Sequence, residues 1–140
     1  MGAKDAGWWM DNVDGMPKAF CCYFARARDW ARLGRIIYFK GTVDGNRIVS
    51  EEWIDKMLVQ STLERDYGYH LWLGYEDGGR RDKNRSESFL APVIGIDGAK
   101  KQHVFVIPSK EILLVRIGEG PEEWDEAFLP NTLIRALDQG

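Results

Sequence analysis

The chain has 140 residues, 44% hydrophobic and 29% charged, with a formal net charge of −3. That balance excludes a disordered or membrane-embedded chain, and an acidic total gives no electrostatic reason to expect nucleic acid or an anionic membrane as partner. The length suits a single domain over residues 1–140.

No run approaches the roughly 20 apolar residues of a membrane span. Met1-Gly2-Ala3-Lys4-Asp5 leads into no apolar signal core, so a cytoplasmic location is expected. Cys21 and Cys22 are adjacent, which yields neither a disulfide framework nor a CxxC motif and mildly favours a reducing compartment.

Residues 7–17 set Trp8, Trp9 and Met10 among Asp11, Asn12, Asp14 and Gly15: turn chemistry carrying apolar anchors that need a surface. From about Ala25 to Lys40 the spacing predicts a helix, with Ala27, Trp30, Leu33, Gly34 and Ile37 on one side and Gly41 as its stop. Arg28, Arg32 and Arg35 form the opposite stripe, read as a solvated face rather than a phosphate site. Asp44-Gly45 between short β-prone pieces predicts a tight hairpin. Ser50, Glu51 and Glu52 then open a second helix, expected to run to about Ser61 with Trp53, Ile54, Met57 and Leu58 inward.

Residues 67–75 alternate as one strand, with Tyr67, Tyr69, Leu71, Leu73 and Tyr75 on one face and His70 and Trp72 on the other. Residues 76–88 are the most polar and read as a long exposed loop. A third apolar run, Phe89 to Ile96, ends in Gly95-Ile96-Asp97-Gly98. Gln102–Ile107 and Ile112–Ile117, joined by Pro108-Ser109-Lys110-Glu111, predict a hairpin whose residues are apolar on both faces, so that something covers each side. Pro121 is expected to start a short acidic helix and Pro130 a final one, with Leu133, Ile134 and Leu137 on the sheet. The expected fold is α+β: an antiparallel sheet of about three to five strands with packed helices.

A serine nucleophile needs a base within reach, and Ser-x-x-Lys supplies both from one helical turn. The residues three beyond each serine are Trp53, Glu64, Phe89, Ala91 and Ile112, so no such pair exists here. Gly-x-Ser-x-Gly, the phosphate-binding Gly-x-x-x-x-Gly-Lys-Ser/Thr and the dinucleotide Gly-x-Gly-x-x-Gly are absent too. His70 and His103, the two histidines, each lie in an apolar strand without a second ligand at metal spacing, so both are read as structural, with no metal and no cofactor expected.

Five stretches nevertheless form an ordered series. They are Asp5-Ala6-Gly7-Trp8, Ala27-Arg28-Asp29-Trp30-Ala31-Arg32-Leu33-Gly34, the run from Gly45 to Trp53, Tyr67-Gly68-Tyr69 with Leu71-Trp72-Leu73, and Val104–Ser109 ahead of Leu114–Gly118. Together they resemble the C-terminal part of the β-lactamase-related serine hydrolases, the group of class C β-lactamases, penicillin-binding-protein-like esterases and 6-aminohexanoate-dimer hydrolases. The resemblance implies amide, ester or β-lactam hydrolysis by a protein whose serine, lysine and tyrosine precede the matched segment, so this chain has no catalytic residue and is inactive alone.

The resemblance also implies a pocket edge at Gly95, Ile96, Asp97 and Gly98, followed by Gln102, offering backbone N–H groups to a substrate oxyanion, with Trp72 lining the pocket. Asp97 stands where that group commonly has His, and Ala99-Lys100-Lys101 precedes Gln102 as an insertion. A carboxylate there repels the developing oxyanion unless Lys100 or Lys101 offsets it. The expected partner is a nucleophile-bearing N-terminal half. The alternative is a stand-alone binding or oligomerisation module that pairs with itself as a homodimer; a third reading is a small-molecule carrier with a pocket between Trp72 and Gly95.

Overall fold

The computed structural model describes residues 5–18, 20–74 and 86–140. β-Branched and aromatic side chains fit a pleated surface, and the two richest runs pair. β7 (Gln102–Ile107) is antiparallel to β8 (Ile112–Arg116), with His103 opposite Arg116 and Ile107 opposite Ile112. β6 (Val93–Gly98) flanks β7, and β5 (Trp72–Gly74) flanks β6, giving a four-stranded antiparallel sheet in the order β5-β6-β7-β8.

Both faces of the sheet are covered, as the unbroken apolar runs of β7 and β8 require. On one side lies α1 (Ala27–Tyr38), at Gly34. A Cβ there would come 2.4 Å from Leu113 Cδ1 and 3.1 Å from Val104 Cγ1, so the helix approaches this closely because residue 34 has no side chain. On the other side Phe105, Ile107 and Ile112 join Phe89, Val93, Ala127 and Ile134, the last from α3 (Phe128–Asp138).

Two small hairpins stand outside the sheet: β1 (Gly7–Trp8) with β2 (Tyr23–Phe24), and β3 (Thr42–Val43) with β4 (Asn46–Arg47). In the second, Asp44 and Gly45 take φ of 49° and 79°, the two left-handed residues a tight hairpin turn needs. α2 (Glu51–Met57) is capped as expected, the Trp53 N–H donating to Ser50 Oγ at 3.2 Å. None of the helices among the described residues is long and apolar enough to cross a membrane.

Several expectations are corrected. α1 buries Asp29 and Ile36 rather than Ala27, and the Asp29 carboxylate accepts from Arg32 one turn along the helix. α2 stops at Met57, whose carbonyl accepts the Tyr69 N–H at 3.0 Å, and of its expected inward residues Trp53 is exposed. Residues 67–74 are not one strand: the Gly68 N–H donates to Leu71 O at 2.9 Å, Tyr67 bridges back to Trp72, and His70 takes φ 59°, so the chain doubles back before β5. Pro121 opens a turn rather than a helix, and one helix, already begun at Phe128, carries Pro130 in its first turn, where a missing N–H costs nothing. Tyr75 and most of the polar loop, residues 75–85, lie outside the described residues. Cys21 and Cys22 are disulfide-bonded to each other, which lends no support to the reducing-compartment reading.

Candidate functional site

The hairpin from β6 to β7 places the expected pocket edge. Gly98 pairs with Gln102 and Asp97 with His103, so Ala99–Lys101 is the turn itself rather than an insertion into a strand. Lys100 and Lys101 take φ of 61° and 63° to make it. Gln102 closes the turn, its Nε2 donating to Ala99 O at 3.1 Å. Gly95 lies opposite Trp72, and among the described residues β5 pairs with β6 from Val93 to Gly95. Trp72 packs its ring against Tyr67 at 4.7 Å.

A cleft of about 380 Å³ opens where this hairpin meets the segment before α3. Its lining includes Asp97, Gly98, Lys100, Lys101, His103 and Glu126. Of the sequence-predicted site residues, Asp97 and Gly98 line this cleft; Gly95, Ile96, Gln102 and Trp72 do not. The Lys100 ammonium is paired with Glu119, while the Asp97 carboxylate lies 3.0 Å from His103 Nδ1. His103 is thus one partner of Asp97.

His103 is the residue the sequence reading missed. Sequence spacing shows no second ligand for it, yet its buried ring lies between two carboxylates: Asp97, and Glu126 with Oε1 3.8 Å from Nε2. Ligand atoms of Asp97, His103 and Glu126 all lie within 4.8 Å of one another. The Asp97 contact follows from hairpin register, since counting back from the Gly98–Gln102 pair sets residue 97 opposite 103. Next across the sheet is Arg116, which donates to the carbonyls of Lys101, Gly118 and Glu119 and lies 4.1 Å over the Trp124 ring. The arrangement offers one imidazole nitrogen and carboxylate oxygens in a buried, solvent-reachable corner, a donor set for proton exchange or cation binding. Of the serines, Ser50 caps α2 and Ser86 donates its hydroxyl to Asp125.

No protein-family model matches the chain, and no curated protein matches it. Among solved structures it is similar to a crystal structure from Bacteroides dorei DSM 17855 described as a "putative beta-lactamase", with a TM-score of 0.50 and 15% sequence identity. The match covers 91% of this chain and 44% of that one, so the chain spans less than half the length of the protein it resembles. Identity this low speaks for the fold alone. The chain carries part of a β-lactamase-like fold: among the described residues, an α+β arrangement with three α-helices and a four-stranded antiparallel sheet.

Proposed function

We propose that this chain is the C-terminal wall of a β-lactamase-like serine hydrolase, supplying one side of a substrate pocket for amide, ester or β-lactam hydrolysis and no nucleophile of its own. The observation that carries this reading is the lopsided coverage, 91% of this chain against 44% of its structural relative. The resemblance places the serine, lysine and tyrosine ahead of the segment matched here. The end of the β5–β6 pairing at Gly95 supports it, since backbone N–H groups near a strand edge are what an oxyanion site uses.

The test is the DNA immediately upstream of the Met1 codon. An in-frame Ser-x-x-Lys there, and ester turnover by the joined polypeptide but not by this chain, are the expected results. An in-frame stop codon with no such motif before it removes the proposal.

The second reading, an assembly module that pairs with itself, is favoured by one surface. Trp8, Trp9, Phe20 and Phe24 are about half exposed or more near the β1–β2 hairpin, more apolar area than a solvated ribbon needs. Under that reading the chain sediments as a dimer at micromolar concentration; a monomer there rules it out.

A further inference from the structure

We propose that His103 and Glu126 bind a divalent transition-metal ion, with Asp97 fixing the imidazole from behind. The proposal does not depend on the hydrolase reading. The His103 side chain is 2% exposed, and Nδ1 lies 3.0 Å from Asp97 Oδ1. A carboxylate only accepts, so Nδ1 carries a proton and, in the neutral ring, Nε2 presents a lone pair. That Nε2 is buried and has no hydrogen-bond partner among the described residues. Leaving a buried polar atom unmatched costs about 1–3 kcal/mol, and here the atom faces a carboxylate oxygen at 3.8 Å.

Three bridges could reconcile that lone pair with that oxygen: a water donating to both, which at about 2.8 Å from each and a tetrahedral angle holds them about 4.6 Å apart, a proton, or a metal ion. A proton bridging them brings nitrogen and oxygen to about 2.7–3.2 Å, well short of the separation observed. Two metal bonds of about 2.1 Å each span 3.8 Å at an open angle, with no rearrangement of the backbone. The Asp97–His103 contact is then the carboxylate–histidine pair that commonly stands behind a metal-bound imidazole, fixing its tautomer and raising its basicity.

The surroundings agree. The cleft connects this corner to solvent and leaves room for water to complete the coordination shell. Glu122 adds a third carboxylate to the lining. An imidazole ligand selects zinc, cobalt or nickel over magnesium and calcium, whose preference is all-oxygen.

Calorimetric titration of the tag-free chain with Zn²⁺ tests this. One ion per chain is expected, uncompeted by millimolar Mg²⁺. His103→Gln and Glu126→Gln should each weaken binding by more than about 100-fold and Asp97→Asn by about 10–100-fold, the range for an outer-shell partner. No zinc binding at millimolar concentration, or equal binding by wild type and both ligand variants, overturns the proposal. Should the buried variants fail to fold, the wild type decides by NMR. Zinc must shift the ring resonances of His103; a shift confined to the exposed His70 overturns it equally.

Discussion

Asn131 is fully buried and ties α3 to the chain entering β6: its Oδ1 accepts the Leu90 N–H at 2.9 Å and its Nδ2 donates to Ser88 O at 2.8 Å. Asn131→Ala strands both backbone groups, so stability should fall by about 3 kcal/mol, read as a lower urea midpoint with unchanged slope. One turn further on, Arg135 holds both oxygens of Glu87. Its guanidinium, with Asn131 assisting, keeps the Glu87 carboxyl below the usual carboxylate range. A depressed folded-state pKa stabilises above the unfolded value of 4.5, and that contribution is lost as pH falls through the folded one. Glu87→Gln should therefore show a shallower loss of stability below about pH 4.5 than wild type, a difference that added salt reduces. Neither tie was legible in the sequence, because Asn131 and residues 87–90 lie more than 40 positions apart and no periodicity links them. The Asp97–His103 contact was within reach, since the strands and their turn were both visible; Glu126 was not, because the irregular segment 117–127 decides where it falls.

Gly41 shows where local sequence and element geometry coincide. It follows α1 with φ 89°, its N–H donates to Ile36 O at 2.7 Å, and its carbonyl accepts from Ile48 and Val49. A Cβ there would stand 2.0 Å from Val49 O, backbone that has no rotamer to move to. Gly41→Ala should cost on the order of 3 kcal/mol or more, whereas Gly45→Ala, left-handed but open around its Cβ, should cost about 1 kcal/mol. Paired thermal denaturation curves compare the two. The helix stop at Gly41, the Asp44–Gly45 turn, the Ser50 cap and the β7–β8 hairpin were all readable, because each rests on chemistry within a few residues. The strand expected over residues 67–75 failed for the converse reason: alternation was satisfied, but Gly68 and a left-handed His70 allowed the chain to reverse, and pairing with β6 retained only Trp72–Gly74.

Across the whole molecule, the α+β class followed from apolar runs that demanded cover on both faces, and α1 and α3 provide it. What the sequence could not supply was the cleft, since it forms between a hairpin turn and a loop that approach only once the sheet is built. The fold carries a β-lactamase-like sheet and helices without a Ser-x-x-Lys, and the proposed role as a pocket wall turns on that missing pair. Intact-mass spectrometry after incubation with a serine-directed fluorophosphonate tests it most directly. The account predicts an unmodified chain after prolonged exposure; one phosphonyl adduct per chain, placed on a single serine, would contradict it.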